Sequence, residues 1–136
     1  MGDDVLVVND GSREVWRVQV KTARVPAGWS PGGERGCDVQ FTTRRQQLET
    51  PSDVELTYAF LIRLHDGWGP TLLIERQTLL DLDQVRRKSN ARARSDSVNF
   101  RIRLGVDGRA LMLGTQDLTR FIDDWSQWPP RALEAI

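Results

Sequence analysis

Cysteine is nearly missing from this chain: Cys37 is its one representative. No intrachain disulfide can form and no cysteine-rich metal site exists, which fits a reducing, cytoplasmic setting. Histidine is as scarce. His65 stands alone before Asp66-Gly67, and a lone imidazole in a turn makes a poor zinc site. No apolar run is long enough to span a bilayer. The opening Met-Gly-Asp-Asp is acidic and lacks the basic and apolar regions of a signal peptide. Leu6 stands where a myristoylation signal needs Ser or Thr. No sign of charge is in excess, because Lys+Arg and Asp+Glu number 19 each. Overall charge therefore gives no argument for a polyanionic partner, and any basic footprint must be local. Serine-hydrolase and P-loop signatures are absent: no Gly-x-Ser-x-Gly surrounds Ser12 or Ser30, and Gly32-Gly33 is not followed by Gly-Lys-Ser/Thr. There is no internal repeat or linker, so the 136 residues are read as one domain, 1–136.

What is present begins at the N-terminus. Val5 to Val8 is a continuous apolar run, the pattern of a strand buried on both faces. Asn9-Asp10-Gly11-Ser12 supplies a turn. Glu14 to Ala23 then alternates, with Trp16, Val18 and Val20 on one face and Arg17, Gln19 and Lys21 on the other. The stretch from Asp4 to Thr22 is thus a strand, a turn and a strand. It opens on a carboxylate and carries Gln19 and Lys21 on one face.

The rest of the chain supports a mixed fold. Val25 to Gly36, rich in Pro and Gly, reads as a long loop, and Cys37 to Thr42 as a third strand. Thr43 to Glu49 makes a short turn or helix. Leu56 to Leu64 is a buried strand, turned by His65-Asp66-Gly67 and returning as Thr71 to Glu75. Leu79, Leu80, Leu82 and Val85 form an apolar stripe that predicts a helix over 77–88. Asn99 to Leu104 and Ala110 to Leu113 are further strands around the Val106-Asp107-Gly108-Arg109 turn. Asp117 to Trp125 has helical spacing, with Thr115 or Asp117 as its N-cap. The class is α/β or α+β, a mixed central sheet with a few flanking helices.

The hairpin carries the residue types that phosphodiester hydrolysis needs. A Mg²⁺ ion prefers oxygen ligands, commonly one or two carboxylates with waters and substrate oxygens. It polarises the phosphoryl group and acidifies a bound water. Asp4 can supply the carboxylate, Gln19 an amide oxygen, or Val20 its backbone carbonyl. Lys21 can orient the water or neutralise charge developing on the phosphate.

Asp4 followed by Gln19-Val20-Lys21 resembles the pattern of the PD-(D/E)XK nuclease superfamily, in which an Asp on one strand precedes Asp/Glu-x-Lys on the next. Gln in place of the acid is a variant of that pattern. The segment Phe41-Thr42-Thr43-Arg44-Arg45-Gln46-Gln47-Leu48 and the strand from Tyr58 to Leu64 resemble small bacterial members of the same kind. The resemblance implies a restriction-endonuclease-like fold and a Mg²⁺- or Mn²⁺-dependent nuclease, or a nuclease-like DNA-binding protein. Asp4, Gln19 and Lys21 are its catalytic residues, and Asp4, Gln19 and Val20 its metal ligands. The family usually sets a helix ahead of the Asp strand, and this sequence begins at the strand. Three readings stay open: a truncated chain, a partner chain in the helix's place, or a site that has lost part of its machinery. A symmetric homodimer is one way to cover the sheet surface that such a helix would occupy.

Positive charge clusters locally. Arg86 to Arg103 holds seven basic residues against Asp96 alone. Arg44, Arg45 and Gln46-Gln47 follow the third strand. Each cluster is either a solvated turn or a nucleic-acid contact, because clustered Arg and Lys release counterions from a polyanion. On the second reading Arg44, Arg45, Arg92 and Arg94 touch DNA. The competing function class is a catalytically inactive binding or assembly module, favoured by the balanced charge and by Gln19.

Overall fold

The computed structural model describes residues 4–8, 11, 15–29, 35–51, 54–89, 96–105, 109–112 and 116–123. The chain is α+β with a core made mainly by strands. In order they are β1 (Asp4–Val8), β2 (Val15–Arg24), β3 (Cys37–Arg44), α1 (Arg45–Glu49), β4 (Leu56–Arg63), β5 (Trp68–Glu75), α2 (Arg76–Ser89), β6 (Ser97–Leu104), β7 (Ala110–Met112) and β8 (Gln116–Asp117). A single 3-10 turn, Thr119–Phe121, follows.

The expected single central sheet is instead two sheets of four strands. The first runs β1-β2-β4-β5, with β2 and β4 parallel and the other pairs antiparallel. The second runs β3-β6-β7-β8 and is antiparallel throughout. Strict alternation dictates the second sheet. Cys37, Val39, Phe41 and Thr43 of β3 point inward, and so do Val98, Phe100, Ile102 and Leu104 of β6. One face is apolar and the other wet, the usual solution for an antiparallel sheet. Its apolar face meets Leu56, Tyr58, Phe60 and Ile62 of β4 in one continuous core. The Phe41 and Phe60 rings stack across the gap with centroids 4.5 Å apart.

Two expectations fail here. The β1 run does not lie in a strand buried on both faces. It is the edge strand of its sheet, and Leu6 is 62% exposed. A short apolar run looks the same whether a strand is central or at an edge. Nor do the described residues of the 117–125 segment form an α-helix. Ile122 bridges to Leu72, Asp123 N–H donates to the Thr71 carbonyl at 2.7 Å, and Thr71 N–H donates to Asp123 Oδ1 at 3.0 Å. The segment closes the outer edge of β5, and those strand-edge bonds outweigh local helical spacing. Residues 124 and 125 of the expected helix, and Trp128 beyond it, lie outside the described residues. So do residues 9–10 and 106–108 of the two expected turns and the proposed N-cap Thr115.

Asp117 is not an N-cap either: Leu118 holds that position in the 3-10 turn, with no side-chain cap bond, and Asp117 braces the turn from one residue earlier. Its carboxylate accepts from Thr119 N–H at 2.9 Å and from the Arg109 guanidinium at 2.8 Å. The Thr119 and Arg109 hydrogen bonds hold its carboxyl well below the usual carboxylate range. A carboxyl with a lowered folded pKa stabilises above its unfolded pKa, near 3.9, and loses that contribution as pH falls through its folded value. The gap in thermal midpoint between the native chain and Asp117→Ala is therefore expected to be constant above about pH 5. It should narrow below about pH 4.

Gly28 is required by geometry. Trp29 N–H donates to the Pro26 carbonyl at 3.2 Å, and Gly28 takes φ +83 in the third position of that turn. A positive φ there is the mark of a type II turn and favours glycine. The same turn is tied to the β4–β5 connection, since Gly28 N–H donates to His65 Nε2 at 3.2 Å.

Candidate functional site

The β1–β2 register sets Asp4 directly opposite Gln19. On the other side of β2, Gln19 pairs with Tyr58, Val20 with Ala59 and Lys21 with Phe60. Adjacent residues on paired strands share a face, so Arg17, Gln19 and Lys21 lie on the face of Leu56, Tyr58 and Phe60. That is the core side of the sheet. The polar face of β2 therefore looks inward, at the margin of the core, and Gln19 is only 4% exposed.

A buried amide must find partners. Gln47 Nε2 donates to Gln19 Oε1 at 3.0 Å, and the Tyr58 hydroxyl donates to Gln47 Oε1 at 3.1 Å. Three side chains from β2, α1 and β4 thus form one polar chain beside the Asp4–Gln19 pair. Gln47, from a segment that reads as either a turn or a contact patch, is the link that sequence order conceals, because it lies 28 residues from Gln19.

Placing Gln47 depends on α1, a five-residue helix with no side-chain cap. So short a helix has no stability of its own. Two arginines pin it. Arg45 Nη1 lies 3.2 Å from Asp83 Oδ2 of α2 and 3.3 Å from Glu49. Arg76, at the start of α2, donates through Nη1 to the Leu48 carbonyl at 2.7 Å and through Nε to Glu55 at 2.9 Å. Arg76 and Asp83 are both buried. The two helices are locked to each other, and Gln47 is carried to Gln19.

Gln47→Leu is expected to destabilise the fold by about 1–3 kcal/mol, because it removes the hydrogen-bond partner that Gln47 gives to the buried Gln19 amide oxygen and to the Tyr58 hydroxyl. Urea denaturation of this variant against Tyr58→Phe tests the chain. A loss no greater than that of Tyr58→Phe would mean that Gln19 finds another partner.

The remaining candidate residues are distributed unevenly. Lys21 is half-buried on the rung of Phe60. Arg44 is exposed at the end of β3, whereas its neighbour Arg45 is turned into the α1–α2 contact. Arg92 and Arg94 lie outside the described residues. Among the described residues, no three His, Cys, Asp or Glu side chains gather as a metal-binding group. Cys37 is buried, and burial together with the Asp38 charge pushes its thiol pKa up, the opposite of a reactive cysteine. No helix among the described residues is long and apolar enough to cross a membrane.

Comparison with known proteins adds no relative: no family model matches the chain, and no significantly similar curated protein or solved structure was found.

Proposed function

We propose that this chain is a nuclease-like protein of the restriction-endonuclease type that engages the phosphodiester backbone of DNA at its β1–β2 hairpin. The observation that carries the reading is the register that pairs Asp4 with Gln19, with Lys21 two residues along the same strand. An Asp on one strand opposite a Gln-x-Lys on the next resembles the superfamily's Asp…Asp/Glu-x-Lys motif, with Gln as a variant of its second acid.

The donor set suits a Mg²⁺ or Mn²⁺ ion that keeps several waters and shares the substrate phosphate, and is too small for a dedicated cage. Asp4 and the Gln19 amide oxygen would hold it, with the Val20 carbonyl as the backbone alternative. Gln19 Oε1 accepts one bond from Gln47 and has a second lone pair to offer. When bound, such an ion polarises the phosphoryl group and acidifies a water. Gln47 fixes the orientation of the Gln19 amide. Lys21 supplies the positive charge that offsets charge building on the phosphate.

Purified protein is expected to nick supercoiled DNA with Mg²⁺ or Mn²⁺. Lys21→Ala should lower the rate by about a hundredfold or more, the size of effect seen when one preorganised electrostatic partner is removed. Nicking unchanged in a folded Lys21→Ala variant would sink the mechanism.

One observation favours the second reading, an inactive binding or assembly module that self-associates as a homodimer. Gln19 is neutral, buried and already engaged by Gln47. Calorimetric titration with Mn²⁺ separates the two. Absence of binding, together with concentration-dependent association in light scattering, would select the module.

A further inference from the structure

A pocket of about 290 Å³ opens beside the hairpin, between β2, α1 and the start of α2. Three arginines line it, Arg17, Arg44 and Arg76, with Gln46, Gln47 and Thr50 as neutral polar neighbours. No carboxylate is among its described lining residues. The three cations come from widely separated points of the chain, and folding alone brings them together.

Like charges around one concavity repel, and an anion placed among them relieves that repulsion. Guanidinium groups suit a phosphate in particular, since their forked donors match its oxygens. The wall is partly preorganised. Arg76 is 3% exposed, and its guanidinium is held by the Leu48 carbonyl, Glu55 Oε1 and Gln77 Oε1. Glu55 offsets the charge of Arg76, and Arg17 makes an interaction of its own that a bound anion would have to share. Arg44 is exposed and can close on a ligand from the rim. The volume is near the lower end for small-molecule sites, enough for a phosphate and part of what carries it.

From this the geometry points to a phosphate-binding pocket, with Arg17 and Arg44 as contacting residues and Arg76 as its fixed positive wall. Gln47 joins it to the hairpin, because the same side chain lines the pocket and holds Gln19. Arg17 and Gln19 are alternate residues of β2, about 6.6 Å apart along the strand. A phosphate in the pocket is therefore a neighbour of the proposed reaction site. The pocket extends the nucleic-acid reading of Arg44, and it does not require the hairpin to be catalytic.

The test is a metal-free titration followed by two-dimensional NMR of arginine Nε–H and glutamine side-chain amide signals. Inorganic phosphate, ribose 5-phosphate and a short single-stranded oligonucleotide are the probes, with sodium chloride at matched ionic strength as control. Phosphate is expected to shift signals of Arg17, Arg44, Arg76 and Gln46 beyond any chloride response. Arg44→Ala and Arg17→Gln should each weaken binding about tenfold or more. Binding should survive in Lys21→Ala, so failure of the nicking assay and failure of the pocket give different results. Competition by the oligonucleotide identifies a strand as the source of the phosphate. Competition by ribose 5-phosphate alone identifies a small phosphorylated molecule and removes the strand from this pocket. Equal response to chloride, or phosphate binding unaltered in both arginine variants, would overturn the proposal.

Discussion

Phe60→Ala is expected to remove about 3–5 kcal/mol of stability. Phe60 is fully buried and is the point where the two sheets meet. It stacks on Phe41 of β3 and has Tyr58 at 5.9 Å and Phe100 of β6 at 6.3 Å. Truncation forfeits the transfer energy of a phenyl group and opens a cavity that three surrounding rings cannot fill. The lost ring contacts add about 0.5–1.5 kcal/mol each beyond buried area. A domain of this size is stable by about 5–15 kcal/mol in total, so about a fifth of the margin or more should vanish. Urea denaturation with unchanged m-value is the measurement. A loss below about 1.5 kcal/mol would mean that the two sheets do not share this core.

The second large effect is expected at Arg45. Arg45→Met keeps most of the aliphatic stem and removes the guanidinium from the buried Asp83 carboxylate. Breaking a buried pair from one side is costly because it leaves an uncompensated charge, about 3–5 kcal/mol in known cases. Asp83 has more than this one contact, and the expected loss is set at the lower bound, about 3 kcal/mol. The pair of Arg45 with the exposed Glu49 contributes only a few tenths by comparison. The double variant Arg45→Met with Asp83→Leu should recover most of the loss, since two apolar side chains leave no charge to desolvate. A double variant as unstable as Arg45→Met alone would show that the site needs the ion pair for its geometry.

The strands were legible because alternation is a local signal. β3, β4 and β6 can be drawn from their apolar positions, and the β1–β2 hairpin from its turn and its period of two. What lay beyond the sequence was orientation. Arg17, Gln19 and Lys21 look like a solvent face, and only the second sheet and a glutamine on α1 turn that face into the edge of a core. The segment after Asp117 shows the same limit. Its helical spacing is real, but its hydrogen bonds go to Thr71 on β5. The arginine pocket was illegible for a simpler reason: Arg17, Arg44 and Arg76 have no shared motif or spacing. Arg44 and Arg45 form one basic pair in the sequence, yet one lines a pocket and the other holds two helices together.

The parallel pairing of β2 with β4 has a kinetic side. Two parallel strands cannot be joined by a tight turn, and here β3 and α1 lie in the connection. The chain must close that long loop before Gln19 and Tyr58 become neighbours, and such non-local contacts place folding toward the slow end of the range for small domains. Gln47 reaches Gln19 only when α1 is seated, and the Arg45–Asp83 and Arg76–Leu48 contacts with α2 help to seat it. The hairpin can form early, but its polar chain is a late product of folding. During synthesis the Asp4–Lys21 segment leaves the ribosome before α1 and α2, and its neighbours complete it only after α2 has emerged.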